Sequence, residues 1–146
     1  MGLNLDTLDA IKVFPLKVIA VEGGDVMHGI KKSDSDFEDF GEAYFSWINY
    51  CHIKGWKKHL SMAMNLIVPI GEVKFVFYCD ESKQFRVEKI GNDRYCRIHV
   101  PPGIWFGFMG CNNPKSLILN IASCLHDPKE ALRLQIDKIN FKWEDK

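Results

Sequence analysis

Glu72-Val73-Lys74-Phe75-Val76-Phe77-Tyr78-Cys79 repeats with a period of two. That period is a strand's, and it puts Val73, Phe75, Phe77 and Cys79 on one face. Asp80-Glu81-Ser82-Lys83 follows as a polar break, and Phe85 to Ile90 alternates again. Two alternating runs joined by a short polar turn predict a hairpin. Downstream, Tyr95-Cys96-Arg97-Ile98-His99-Val100 alternates with Cys96, Ile98 and Val100 inward, and Ser116 to Ile121 is a short apolar run. Upstream, Val13 to Val21, Ala43 to Cys51 and Met62 to Val68 read as further strands.

The connections have turn chemistry. Gly91-Asn92-Asp93, Pro101-Pro102-Gly103 and Cys111-Asn112-Asn113-Pro114 are each built from residues that favour turns. Strands thus recur about every ten residues, which predicts a β-sandwich or barrel. Helical signal is confined to one or two turns within Leu5 to Ile11 and to Asp127-Pro128-Lys129-Glu130-Ala131-Leu132. In the latter, Asp127 is the cap and Pro128 the first helical position.

The 146 residues make one domain, 1–146, long enough to bury its own core. A composition of 47% hydrophobic and 26% charged residues excludes disorder as the main state. Lys and Arg number 19, as do Asp and Glu, so the net charge is zero and no basic surplus advertises a nucleic-acid partner. No apolar window is long enough for a membrane helix, and Met1 to Asp6 lacks the basic head of a secretory signal. A cytoplasmic protein is expected. Five scattered cysteines without a Cys-x-x-Cys pair fit small buried residues in a reducing compartment.

The densest polar cluster is Lys54-Gly55-Trp56-Lys57-Lys58-His59. On a strand, Lys57 and His59 face one way, while Trp56 and Lys58 face the other. Two readings fit: a solvated basic strand end, the usual fate of a charge run, or a Lys–His pair aimed into a cavity for anion binding or acid–base work. In Pro101-Pro102-Gly103-Ile104-Trp105-Phe106-Gly107-Phe108, a rigid turn feeds an aromatic strand. Trp105, Phe106 and Phe108 either pack in the core or stack on a base or sugar. Gly23 to Gly29 lacks the lysine and spacing of a phosphate loop and reads as a turn. His28, His52, His99 and His126 stand singly, without metal-ligand spacing.

Three ordered segments resemble the dTDP-4-dehydrorhamnose 3,5-epimerase family, in particular a shorter branch from bacterial surface-polysaccharide clusters. They are Ile53 to His59, Asn65 to Val73 and Pro101 to Phe108. Leu119-Asn120-Ile121, His126 to Glu130 and the ending Ile139 to Trp143 continue the likeness. The resemblance implies an all-β, cupin-type jelly roll in a homodimer whose N-terminal strands reach the partner. It also implies no metal and no cofactor, and proton abstraction beside the ketone of a nucleotide-linked 4-keto-6-deoxyhexose. Of the metal-binding cupin set only His59 remains, and Phe106 stands where a second histidine would fall.

Carried over position by position, Lys54 replaces the family's arginine and would meet the diphosphate. Lys57 falls on the catalytic histidine, Asn65 on a lysine and Asn120 on the tyrosine acid. The expected catalytic residues are therefore Lys57 and His59. The expected substrate-binding residues are Lys54, Trp56, Asn65, Trp105, Phe106 and Asn120. With the family's His and Tyr positions changed, two functions stay open: an isomerase, or a non-catalytic jelly roll that binds a nucleotide sugar or a partner. The local cluster of Lys54, Lys57, Lys58 and His59 is sized for one diphosphate rather than a polymer.

Overall fold

The structure is a computed structural model, and it describes residues 7–144. The N-terminal stretch Met1 to Asp6 lies outside the described residues, and with it the start of the expected Leu5–Ile11 turns; Thr7–Ala10 forms a 3-10 turn. Twelve strands follow: β1 (Lys12–Pro15), β2 (Val18–Ile19), β3 (Val26–Met27), β4 (Glu42–Asn49), β5 (Ile53–His59) and β6 (Met64–Ile70). Then come β7 (Glu72–Cys79), β8 (Gln84–Gly91), β9 (Cys96–Val100), β10 (Trp105–Gly110), β11 (Lys115–Ala122) and β12 (Ala131–Arg133). The expected Val13–Val21 strand is split between β1 and β2: Pro15 still pairs with Cys96 and the Leu16 N–H donates to the Tyr95 carbonyl at 3.0 Å before the chain leaves the sheet.

Two five-stranded sheets form, ordered β1-β9-β6-β11-β4 and β12-β5-β10-β7-β8, and β2 and β3 make a separate hairpin. The pairings within both sheets are antiparallel. This is the all-β jelly roll that the resemblance implied. The expected hairpin is present, with Glu72–Cys79 paired to Gln84–Gly91 throughout.

Period-two alternation decides which side chains meet between the sheets. Met64, Leu66, Ile98 and Ile118 from the first sheet pack with Val73, Phe75, Phe77 and Phe106 from the second. Cys79, Cys96 and Val100 join the same core. Burial of so many branched and aromatic side chains, each contributing about 1.5–3 kcal/mol, is the main force closing the sandwich.

A second cluster covers the outer face of the second sheet. Trp56, Val76 and Trp105 project outward and are roofed by Ile139 and Trp143 of the C-terminal segment. The Trp56 and Trp143 rings lie 5.3 Å apart, and Trp56 Nε1 donates to the Ile136 carbonyl at 3.1 Å. Gly107 allows this close roofing: a Cβ there would come within 3.2 Å of the Trp143 ring and 3.1 Å of the Lys54 carbonyl. No helix among the described residues is long and apolar enough to cross a membrane.

Candidate active site

The sequence reads Ala43 to Cys51 as a strand, with the Lys54–His59 cluster where that pattern continues, and the chain turns between the two, from β4 to β5. Cys51 takes a left-handed φ of 64° at that turn. The turn delivers β4 to the edge of the first sheet and β5 to the second. A cavity of about 680 Å3 opens between them, a size suited to a small organic ligand.

Its walls divide by chemistry. Leu66, Phe75, Phe106, Phe108 and Ile118 supply an apolar floor. Lys54, Lys57, Arg133 and Gln135 supply a polar, cationic side, and Tyr44, Ser46, His59 and Asn120 add groups that can exchange or share hydrogens. Among the described residues, no carboxylate lines it. Three cations with no lining anion among those residues favour a ligand that carries several negative charges.

The alternation read from the sequence holds along β5: Lys57 and His59 line the cavity, and Lys58 turns away toward Asp80 and the Trp105 ring. Trp56 borders the cavity, but its ring packs outward on Trp143. Lys54 lines the mouth and donates to the Trp47 carbonyl at 3.0 Å. Phe106 stacks on the His59 ring, with centroids 5.9 Å apart and planes 19° from parallel.

Two expected binding residues lie elsewhere. Asn65 is next to Leu66 on β6, so alternation turns it to the far face of the sheet. There it accepts a hydrogen bond from Arg97, and its own amide donates to the Asp36 carbonyl at 3.3 Å. Trp105, beside Phe106 on β10, belongs to the outer tryptophan cluster. Neither faces the cavity.

His59 is the best-organised group in the site. Its side chain is buried, and Nδ1 is hydrogen-bonded to Glu130 Oε1. The other Glu130 oxygen accepts from the backbone N–H groups of Ser61 and Met62, both at 3.1 Å. Burial alone would raise the Glu130 carboxyl, but the hydrogen bonds from His59, Ser61 and Met62 outweigh it and hold it below its ordinary value. Ionised Glu130 takes the Nδ1–H, which leaves a lone pair on Nε2. Nε2 is buried and has no hydrogen-bond partner among the described residues. Burial pushes the imidazole pKa down despite Glu130, so the ring is neutral at pH 7 and able to accept a proton.

Glu130 was not singled out as a site residue from the sequence. Its local signal was visible, since the expected Asp127 cap is present: Asp127 Oδ1 accepts from the Lys129 N–H at 3.0 Å. That 3-10 turn leads into β12, whose pairing with β5 sets Ala131 opposite His59 and Arg133 opposite Lys57. Burial, reinforced by the Arg133 charge, lowers the Lys57 pKa, with Glu130 opposing. Tyr44 and Ser46 were also missed; both lie on β4, which pairs with β11, the strand of Asn120. Among the described residues, no three His, Cys, Asp or Glu side chains cluster as a metal site requires.

No family model matches the sequence, and no curated protein matches it significantly. Solved structures do. A dTDP sugar isomerase from Desulfovibrio desulfuricans is 28% identical, with 97% of this chain and 95% of that one covered at a TM-score of 0.87. A sugar 3,4-ketoisomerase from Thermoanaerobacterium thermosaccharolyticum, in complex with TDP, is 19% identical, covering 88% of this chain and 93% of that one at 0.73. A dTDP-6-deoxy-D-glucose-3,5-epimerase from Legionella pneumophila, in complex with dTDP-4-keto-L-rhamnose, is 14% identical, covering 93% and 77% at 0.76. The latter two likenesses are of fold. The structural neighbours are thus the dTDP-sugar isomerases and epimerases that the sequence resembles.

Proposed function

We propose that the chain is an isomerase acting on a nucleotide-linked 4-keto-6-deoxyhexose, with His59 as the base that removes a proton beside the ketone. The observation that carries this reading is the buried, unpartnered Nε2 of His59, on a ring held by Glu130 in the wall of the cavity. A base needs a lone pair aimed at substrate and a group that steadies the charge it acquires. Nε2 is the first and Glu130 the second.

Lys54 and Arg133 meet the diphosphate, each as a cation near the mouth. Lys57 lies between Lys54 and His59 along β5 and directly across the ladder from Arg133, and polarises the ketone as an ammonium, steadying the enolate oxygen. The apolar floor of Leu66, Phe75, Phe106, Phe108 and Ile118 suits the deoxygenated C6 methyl. The 28% identity to a dTDP sugar isomerase over nearly all of both chains supports the substrate class.

The working unit is a homodimer in this reading. The β2–β3 hairpin carries exposed Val18, Ile19, Val26 and Met27, and edge strand β4 exposes Phe45 and Trp47. Such apolar surface is suited to a second copy of the chain. The setting is the cytoplasm, in the supply of sugars for surface polysaccharide, and the five free thiols are in keeping with a reducing compartment.

The test is incubation of the protein with TDP-4-keto-6-deoxyhexoses in heavy water, followed by proton NMR. Deuterium at the carbon beside the ketone, with a new sugar formed, is the expected result. Binding of the nucleotide sugars without exchange would establish the non-catalytic alternative instead.

A further inference from the structure

Asn120 reaches the cavity from β11, in the first sheet, and His59 reaches it from β5, in the second. Asn120 is only 7% exposed, and its amide is held at one end. Nδ2 donates at 2.9 Å to the hydroxyl oxygen of Tyr44, directly across the β11–β4 ladder, and lies 3.3 Å from Met64 Sδ. A thioether sulfur only accepts, so the nitrogen and not the oxygen belongs beside it. A carboxamide is planar, and fixing its nitrogen fixes its oxygen. Oδ1 is buried and has no hydrogen-bond partner among the described residues.

A buried amide oxygen with both lone pairs unmet is unfavourable until a donor arrives. Leu66, the ladder neighbour of Asn120 on β6, has no hydrogen to give, and Phe75, Phe106, Phe108 and Ile118 in the same cavity have none either. The donor is then a group on the ligand. A hexose joined to a nucleotide through C1, oxidised at C4 and deoxygenated at C6 keeps two hydroxyls, at C2 and C3. Each is a donor of the kind that Oδ1 lacks. At a ring carbon whose hydrogen points to the His59 wall, the tetrahedral angle carries the hydroxyl away from that wall.

We propose that Asn120 is a specificity-determining residue of this site, whose Oδ1 accepts the hydrogen of a ring hydroxyl. The cavity then takes nucleotide sugars that keep this hydroxyl and rejects those deoxygenated at the same carbon. The assignment rests on the nucleotide-sugar reading above and narrows its substrate class. No proton is transferred; the bond forms on binding and acts in recognition. Tyr44 and Met64 hold the amide so that its oxygen is the free end. A deoxy sugar fills the cavity but leaves Oδ1 unmet and cut off from water, and a site built to bind a hydroxyl discriminates strongly for that reason.

Calorimetric titration with TDP-6-deoxyglucose tests this without turnover, because that sugar has a hydroxyl at C4 in place of the ketone. Its 2-deoxy and 3-deoxy forms are titrated beside it, against wild type and Asn120→Leu, which is similar in volume and accepts no hydrogen bond. One of the two deoxy forms should bind wild type about tenfold or more weaker than the parent sugar, and the position it lacks identifies the contacted hydroxyl. Asn120→Leu should bind the parent sugar as weakly as wild type binds that deoxy form, lose the discrimination between the two, and bind TDP alone as wild type does. Both deoxy forms binding wild type within about twofold of the parent would overturn the assignment, and so would an Asn120→Leu protein that keeps the discrimination. If Asn120→Leu does not fold, Asn120→Ala takes its place under the same criteria, and the wild-type titrations stand without either variant. A wild type that binds no nucleotide sugar defeats the reading above and this assignment together. Binding without deuterium exchange defeats only the isomerase step and leaves Asn120 in this role.

Discussion

Glu130 holds the Nδ1 side of the His59 ring while Nε2 of the same ring is buried with no partner among the described residues. One residue comes from β5 and the other from the turn before β12, and the β5–β12 ladder brings them together. In the proposed reading this pair makes the buried histidine a directed base.

Glu130→Gln should therefore lower kcat by about a hundredfold or more, since the imidazolium formed in the reaction loses its counter-charge. The carboxylate raises the His59 pKa, so its removal should move the acid limb of the pH–rate profile to lower pH. Steady-state rates from pH 5 to 8 measure both effects.

Arg133→Ala should weaken TDP binding about tenfold, the loss of roughly 1.4 kcal/mol expected for one charge-assisted contact. It should also raise the Lys57 pKa, because the Arg133 charge helps to lower it. Calorimetric titration with TDP at several salt concentrations checks the first expectation, and a shallower salt dependence should accompany it.

Trp143→Ala should cost about 3–5 kcal/mol of stability, as removal of a buried tryptophan usually does. Trp143 roofs Trp56, and its carbonyl accepts from buried Lys74 at 2.7 Å. The C-terminal segment that it anchors continues from Arg133, so KM should rise more than kcat falls. Urea denaturation and steady-state kinetics separate the two losses.

Stability should fall in mild acid. Burial lowers the pKa of both His59 and His99 in the folded protein. The unfolded chain then takes up protons first, from about pH 6.5 downward. Stability is full above that value and is lost as pH falls toward the folded-state pKa values. The midpoint of thermal unfolding should drop between pH 7 and 5, and His99→Gln should reduce the drop.

Much of this architecture was legible in the chain because period-two alternation is a local property. Val73, Phe75, Phe77 and Cys79 could be assigned inward without any partner strand, and Lys57 and His59 could be paired on one face. The same rule, applied strictly, turns Asn65 and Trp105 away from the cavity and puts Leu66 into it beside the expected Phe106. Those two assignments followed the order of the resembling segments instead, and a one-residue phase difference reverses the face. Glu130, Arg133 and Tyr44 were out of reach for another reason. Their roles come from pairings between distant strands, β12 with β5 and β4 with β11, and no local pattern encodes such a ladder. The Asp127-Pro128 cap was visible, but not that it aims Glu130 at a histidine 71 positions away.

The most direct test of the account compares wild type with His59→Gln, by NMR in heavy water, on a TDP-4-keto-6-deoxyhexose. The wild type should place deuterium at the carbon beside the ketone, and His59→Gln should bind TDP normally yet exchange at no more than the enzyme-free rate. Exchange by His59→Gln at the wild-type rate would contradict the account.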